Sequence, residues 1–280
     1  MSDTIGFDDI HLDYLSIAAA RQRSGLRLVL GAYAVPGPWR EACKGLFDVK
    51  GLAYASVCTA NAGASDLDFG MHGSQSELYD WTAQSSAPVA IWNDERPRSA
   101  WIDQLNLAER LAPEPGLVPE TIADRIQMFG FINELAGENG FGWSRRLLLV
   151  HAALATLSAG DEGYAFWHTL GEKYLYTPAR GAAAKGRVIE VMRLLSTQLG
   201  AQQARGSRYL IGQRLSALDI YFSTFYALIE PLPPALCPMA TSYRPSYTNS
   251  DPDIAAAVTP ALAAHRDFIY TEHLVLPVVF

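Results

Sequence analysis

The sequence contains little cysteine, no excess of positive charge and no long apolar run. Among its 280 residues are 3 cysteines, Cys43, Cys58 and Cys237, which form neither a C-x-x-C pair nor a zinc-type spacing. An odd number of widely spaced cysteines argues against a disulfide framework and favours reduced thiols. The sequence therefore predicts a cytoplasmic protein with no metal site.

The charge balance is acidic, with 22 Lys and Arg against 29 Asp and Glu and a net charge of −7. A broad nucleic-acid surface needs basic residues in excess, so we expect no nucleic-acid partner. The first residues carry Asp3, Asp8 and Asp9 where a signal peptide carries lysine, and no apolar run reaches membrane-spanning length. We therefore expect no membrane association.

The first half of the chain has the pattern of an α/β unit. Apolar runs at 26–33 and 52–57 predict strands, and between them Pro38 opens a helix predicted to end near Lys50, before Gly51. A third strand is predicted at 88–92, and a helix follows from about residue 100. Strand, helix and strand in so short a span predict a parallel first pair of strands.

The second half is predicted to be helical throughout. The linker Leu111-Ala112-Pro113-Glu114-Pro115-Gly116 ends the α/β part, and five segments with helical periodicity follow at 119–136, 143–157, 183–198, 216–229 and 260–272. Ser216 and Asp219 have the spacing of a capping box, and Leu215 can pack against the first turn. The helix after this box is apolar nearly all round, so we expect it to be buried.

Residues 86–99 are the candidate ligand site. Pro88 lacks an N–H and opens its strand, which leaves the backbone groups of Ala87 and Val89 available to a ligand. Ser99 is the predicted N-cap of the next helix, where unpaired N–H groups and the helix dipole favour a carboxylate. The alternative is structural: Pro88 only begins a strand and Ser99 only caps a helix.

Three motifs, in this order and spacing, resemble those of the glutathione S-transferase superfamily over nearly the whole chain. They are Asp48-Val49-Lys50-Gly51-Leu52, then Ala87-Pro88-Val89 followed by Arg98-Ser99, and Leu210-Ile211-Gly212 followed by Ser216-Ala217-Leu218-Asp219. The resemblance implies a thioredoxin-like glutathione-binding domain at 25–112 after an extension at 1–24. It also implies a linker at 113–118, an all-helical substrate domain at 119–280 and a homodimer.

The resemblance also implies a glutathione site. Pro88 would be cis, the Ala87 backbone would pair with the cysteinyl part of glutathione, and Ser99 would take the γ-glutamyl carboxylate. The further glutathione contacts expected are Trp39, Arg40 and Arg98. Arg98 departs from the family pattern, which commonly has Glu or Gln before the serine, so the partner of the γ-glutamyl ammonium must come from elsewhere.

The group that activates the thiol is the larger departure. Gly37 stands where many bacterial and plant members carry the serine or cysteine that contacts the glutathione sulfur. The N-terminus of the Pro38 helix, with Trp39 beside it, can still favour a thiolate through its dipole. Tyr33 at the end of the first strand is the other candidate, and its alternative role is packing within the sheet. Cys43 lies too far into the helix and is expected to be a small core residue.

The second substrate is predicted to be an apolar electrophile, and we expect it to be aromatic. The side chains that we expect to contact it, besides Trp39, are Phe141, Trp143, Arg145, Arg146 and Tyr221. The alternative for these residues is that the aromatic ones belong to the core and the arginines to a solvated face. His151 on the same apolar helix is expected to be a satisfied core histidine.

Two classes of function follow from the resemblance. The first is a glutathione-dependent enzyme, either a detoxifying transferase or a relative with lyase, isomerase or dehalogenating chemistry. The second is a glutathione S-transferase-like binding protein that lost the thiol-activating group, for which Gly37 is the argument. The presence of both Ala87-Pro88 and Ser99 favours the enzyme.

Overall fold

The computed structural model describes residues 13–30, 35–58, 75–239 and 243–279. In this part of the chain three strands, β1 (Leu26–Val29), β2 (Ala55–Val57) and β3 (Val89–Trp92), form one sheet in the order β2-β1-β3. β1 pairs with β2 in parallel and with β3 antiparallel. The predicted strand–helix–strand unit is confirmed, because α2 (Pro38–Val49) connects the parallel pair.

The N-terminal segment adds to this sheet. Leu15 forms a parallel bridge with Val57, and its N–H donates to the Ser56 carbonyl at 2.9 Å. The short helix α1 (Ile17–Arg21) follows and buries Ile17 and Ala20 in the apolar cluster that covers the sheet. The predicted helix near 12–20 is therefore shorter, and the described part of the segment belongs to the α/β core.

The remaining helices of the α/β part are α3 (Ser76–Thr82) and α4 (Trp101–Leu111). The five helices predicted for the second half appear as α5 (Ile122–Ala136), α6 (Phe141–Leu154), α8 (Pro178–Ala204), α9 (Ala217–Phe225) and α12 (Pro260–His273). α7 (Tyr164–Lys173), α10 (Arg244–Tyr247) and α11 (Pro252–Ala257) were not predicted. A 3₁₀ turn over Tyr226–Leu228 continues α9.

The chain divides into two compact units. The first contains Met1–Leu117 together with Pro231–Pro245 and Ile269–Phe280, and the second contains Val118–Glu230 and Ser246–Phe268. Two late segments thus join the first unit, whereas the sequence assigned all of 119–280 to the helical domain. Within the first unit the Lys44 ammonium donates to the Val279 carbonyl at 2.5 Å, and the Val278 N–H donates to the Leu236 carbonyl at 2.8 Å.

The second unit is organised around α9, every residue of which is buried, as its apolar pattern predicted. The predicted capping box is present: the Asp219 carboxylate accepts from the Ser216 N–H at 2.9 Å and the Ser216 hydroxyl at 2.8 Å. Asp219 also accepts from the Leu210 N–H at 2.8 Å and lies 3.0 Å from His265 Nε2. These contacts join the start of α9 to the preceding loop and to α12.

In the described part of the chain, no helix combines the length and the apolar character needed to cross a membrane.

Candidate functional site

The start of β3 has the features predicted for a peptide-binding edge. The Ala87–Pro88 peptide bond is cis, which confirms the prediction from the resemblance. The Ala87 carbonyl accepts a long hydrogen bond of 3.4 Å from the Ser86 hydroxyl. No described residue accepts a hydrogen bond from the Ala87 N–H. The half-buried Ala87 therefore keeps a backbone donor for a ligand.

The prediction that Val89 also offers its backbone groups is wrong. Val89 is paired with Val29 of β1, and the next residue, Ala90, exchanges two hydrogen bonds of 2.9 Å with Arg98 on the opposite side. Because successive residues of a strand direct their backbone groups to opposite edges, those of Val89 face β1. The ligand-accessible part of this edge is thus limited to the residues before Val89.

Ser99 lies beside the start of α4 but does not cap it. The N-cap is Ala100, with φ −72° and ψ 137°, and no side chain caps this helix end. The predicted N-cap is therefore off by one residue. Ser99 is exposed, and no described residue shares a hydrogen bond with its hydroxyl. The hydroxyl is accordingly available at a helix N-terminus, where the dipole favours an anion.

Gln104, which the sequence analysis missed, holds these two segments together. Its side chain is 1% exposed, and Nε2 lies 3.1 Å from the Pro88 carbonyl, 3.2 Å from the Arg98 carbonyl and 3.3 Å from the Ser99 carbonyl. The signal for it was present, since Gln104 lies on the same helical face as Leu105 and Ala108, which is otherwise apolar. A buried amide among apolar side chains indicates a specific hydrogen-bonding role.

The Arg98 guanidinium is already engaged within the protein. It donates to Glu95 Oε2 at 2.5 Å and to the Arg96 carbonyl at 3.0 Å, and Arg110 reaches the same Glu95 oxygen at 2.6 Å. Hydrogen bonds from Arg110 and Arg98 lower the pKa of Glu95. What Arg98 offers at this site is its backbone, which pairs with Ala90.

The first turn of α2 is the candidate thiol site. Gly37 is the N-cap, with φ −74° and ψ 112°, and Pro38 occupies the first helical position. Trp39 beside them is half-buried. Tyr33, the other candidate hydroxyl, lies outside the described residues. Position 37 at this helix start therefore has no side-chain hydroxyl that could contact the glutathione sulfur.

A buried ion cluster lies within α2 behind this turn. Arg40 Nε and Lys44 Nζ contact the Glu41 carboxylate at 3.0 and 2.9 Å, and the Arg40 guanidinium also donates to the Val35 carbonyl. Two cations and one carboxylate leave one positive charge near the helix start. Because Arg40 is 3% exposed and bound on both sides, its guanidinium acts within the protein rather than on a ligand.

None of the cysteines has the features of a reactive thiolate. Burial raises the pKa of Cys43 far above its ordinary value and that of Cys237 to about 12. Burial also raises the pKa of the partly exposed Cys58, whose thiol donates to the Leu15 carbonyl at 3.3 Å. Cys43 is fully buried, as predicted. Among the described residues, no group of three or more His, Cys, Asp or Glu could hold a metal ion.

The residues predicted to contact the second substrate lie mostly inside the helical unit. Phe141 and Tyr221 are 0% and 1% exposed, and Arg145 is buried as well. Trp143 and Arg146 are partly exposed. Burial of Phe141 and Tyr221 favours the alternative that they belong to the core. The alternative that Arg145 and Arg146 lie on a solvated face is not supported, because Arg145 is buried and Arg146 is only partly exposed.

Trp143 and the nearby His151 have clear packing roles. The Trp143 indole N–H donates to the Tyr174 carbonyl at 2.9 Å, and the two rings pack edge to face at 4.9 Å. His151 Nδ1 lies 3.0 Å from the Tyr176 hydroxyl, which is the satisfied histidine that the sequence predicts.

No protein-family model and no curated protein matches the chain. Solved structures do resemble it. A glutathione S-transferase from Methylobacterium radiotolerans in complex with glutathione sulfonate has 16% identity and a TM-score of 0.54, covering 88% of this chain and 91% of its own. One from Methylobacillus flagellatus with glutathione bound has 12% identity and a TM-score of 0.54, covering 88% and 95%. A rice glutathione S-transferase in complex with glutathione has 18% identity and a TM-score of 0.54, covering 91% and 94%.

Proposed function

We propose that this chain, which has the fold of the glutathione S-transferase superfamily, binds glutathione on its first unit and uses the glutathione thiol to attack an apolar, aromatic electrophile. The observation that carries the proposal is the Ala87 N–H just before the edge strand β3, which donates to no described residue. An extended peptide can bind such an edge through its own backbone. Transfer, isomerisation and elimination would all begin with the same thiolate.

The two ends of the peptide would be held separately. Ala87 would pair with the cysteinyl backbone, and the Ser99 hydroxyl, at the start of α4, would hold the γ-glutamyl carboxylate. Gln104 supports this arrangement because its amide binds the carbonyls of both Pro88 and Ser99, which fixes their spacing. A site held by a buried side chain loses little conformational entropy when a ligand binds.

The sulfur would lie at the start of α2. The end of β1 leads into α2, and Val29 at that end is paired with Val89, just after Ala87 and Pro88. Because α2 follows β1 in the chain, we propose that its start and the peptide-binding edge lie at the same end of the sheet. The dipole of α2 and the net positive charge of Arg40, Glu41 and Lys44 both favour a thiolate there.

A second candidate function is glutathione binding without catalysis, and Gly37 is the observation that favours it. With no side chain at this position, residue 37 supplies no hydroxyl that would help to lower the thiol pKa. A titration of the ultraviolet thiolate absorbance of bound glutathione separates the two functions. A thiol pKa well below that of free glutathione supports the enzyme, and an unchanged pKa supports the binding protein.

Replacing Ser99 with Ala tests the glutathione site. A hydrogen bond to a charged group contributes about 1.5–3 kcal/mol, so we expect Ser99→Ala to weaken glutathione binding about ten- to a hundredfold in calorimetric titration. The thermal unfolding midpoint should hardly change, because Ser99 caps no helix. Ser158→Ala, which removes an exposed hydroxyl in the second unit, is the matched control. Equal affinity in Ser99→Ala and the control would remove Ser99 from the site.

A further inference from the structure

Residues 274–279, which follow α12 and which we call the strap, are fixed on the first unit. Val278 in the strap is 4% exposed, and its N–H donates to the Leu236 carbonyl at 2.8 Å. The segment around Leu236 is held in turn by Arg244, whose guanidinium donates to the Cys237 carbonyl at 2.7 Å. Backbone hydrogen bonds and burial therefore attach the strap.

A chain of polar contacts connects the strap with the loop before α2. The Val279 carbonyl accepts from Lys44 Nζ at 2.5 Å, and the same ammonium lies 2.9 Å from Glu41 Oε2. Arg40 Nε lies 3.0 Å from Glu41 Oε1, and the Arg40 guanidinium also donates to the Val35 carbonyl. These contacts join the strap to a residue just before the N-cap of α2.

The three charged side chains in this chain of contacts are buried. Arg40, Glu41 and Lys44 are 3%, 7% and 5% exposed. Because removing a charge from water is costly, each must find its partners inside the protein. An ammonium has three donors, and the described residues supply two acceptors for Lys44, the Glu41 carboxylate and the Val279 carbonyl. The strap thus provides one of the two contacts that keep the Lys44 charge inside.

The other end of the chain of contacts lies at the first turn of α2. The Arg40 side chain packs there, since a Cβ on Gly37 would lie 3.9 Å from Arg40 Nε. Lys44 lies six residues after Pro38, which is about 9 Å along the helix axis. At this distance inside a protein, one charge shifts a pKa by about half a unit to one unit. The Lys44 charge is therefore close enough to act on a thiol at the helix start.

We propose that the strap positions the start of α2 for thiol activation and that it acts through Lys44. With the strap in place, the Lys44 ammonium stays buried beside Glu41, and Arg40 holds the loop before the helix. Without the strap, Lys44 would lose an acceptor, and water reaching the cluster would screen its charge. The inference rests on the proposed function, because the thiol concerned is that of bound glutathione.

Lys44→Met tests the charge. The variant keeps an unbranched side chain and leaves Glu41 paired with Arg40, so we expect it to fold. The thiol pKa of bound glutathione, followed by ultraviolet absorbance, should rise by about half a unit to one unit relative to the wild type. Lys185→Met is the matched control, because it removes the same charge from a partly exposed position in the second unit.

Val278→Asn tests the strap. A polar side chain at this buried position should loosen the strap without adding a charge. We expect the thiol pKa to rise, by no more than in Lys44→Met. In the protein without glutathione, amide hydrogen exchange in residues 35–44 should become at least about threefold faster. Val275→Asn is the matched control and should change neither quantity, because Val275 belongs to the same strap and is 54% exposed.

The double variant separates the proposed route from a general loss of structure. If the strap acts through Lys44, then Val278→Asn in the Lys44→Met background should raise the thiol pKa no further. Effects that act by separate routes would add.

Three results would overturn the inference alone. Lys44→Met could give the same thiol pKa as Lys185→Met, Val278→Asn could match Val275→Asn in both thiol pKa and exchange, or the effects of the two variants on the thiol pKa could add. Each presupposes a wild-type thiol pKa below that of free glutathione. An unshifted thiol pKa in the wild type would instead refute the proposed function, and the inference with it, so the two failures are distinguishable.

Discussion

Gly37→Ser tests whether the glutathione sulfur lies at the start of α2. The position accepts a side chain: Gly37 has a negative φ of −74°, and an added Cβ would meet Arg40 Cβ at 3.6 Å and Arg40 Nε at 3.9 Å, which are ordinary contacts. The glycine is therefore not required by space or backbone conformation. A serine hydroxyl there could donate to a thiolate.

The expected magnitude follows from the strength of that bond. A hydrogen bond to a charged group contributes about 1.5–3 kcal/mol, and one pKa unit corresponds to about 1.4 kcal/mol. We therefore expect Gly37→Ser to lower the thiol pKa of bound glutathione by about one to two units. At an N-cap, serine and glycine differ by only a few tenths of a kcal/mol, so the free energy of unfolding should barely change.

The assay is the thiolate absorbance of bound glutathione as a function of pH, with the conjugation rate of an aromatic electrophile measured beside it. Gly37→Ala is the control, because it adds the same Cβ without the hydroxyl. If Gly37→Ser and Gly37→Ala give the same thiol pKa, the sulfur does not lie at this helix start, and the proposed thiol activation is wrong.

Two further predictions concern the first unit. Gln104→Leu keeps the side-chain size but removes the donor to the Pro88, Arg98 and Ser99 carbonyls. It should lower the free energy of unfolding by about 1–3 kcal/mol, measured by denaturant unfolding, and also weaken glutathione binding. The control is Gln127→Leu at an exposed position, which should change neither quantity. Burial raises the pKa of Asp48 despite a hydrogen bond from Tyr54, so the folded state disfavours its charged form. Asp48→Asn should therefore be more stable than the wild type at neutral pH. This advantage should shrink as the pH falls from the raised pKa of Asp48 towards the ordinary carboxyl pKa and be absent below it, so an advantage that persists in acid would contradict the stated cause.

Local sequence signals predicted the elements that short-range interactions determine. Pro38 and Gly51 correctly predicted where α2 begins and ends, because each acts through its own backbone conformation. Ser216 and Asp219 predicted the start of α9 because a capping box involves residues three apart. The apolar periodicity of the longer helices was sufficient to predict them, because it too involves residues only three or four positions apart.

The errors at the candidate site have a different origin. Which edge of β3 carries the Val89 backbone groups depends on its pairing with β1 and Arg98, and this pairing joins distant residues. The cap of α4 lies at Ala100, two residues after Arg98, whose backbone is held in the bridge to Ala90, and the helical pattern does not encode this long-range pairing. Gln104 gained its role only when its three carbonyl partners came together.

The sequence by itself determined the succession of an α/β part and a helical part, the helix with a proline at its start, and the buried α9, because each follows from periodicity and capping within a few residues. Only the tertiary structure decided that residues 231–245 and 269–280 join the first unit, that the Ala87 N–H has no acceptor among the described residues, and that Arg145 and Arg146 lie without a carboxylate partner among them. The physical reason is that hydrogen-bond satisfaction and charge balance are properties of the groups that folding brings together, and a single local pattern carries no record of them.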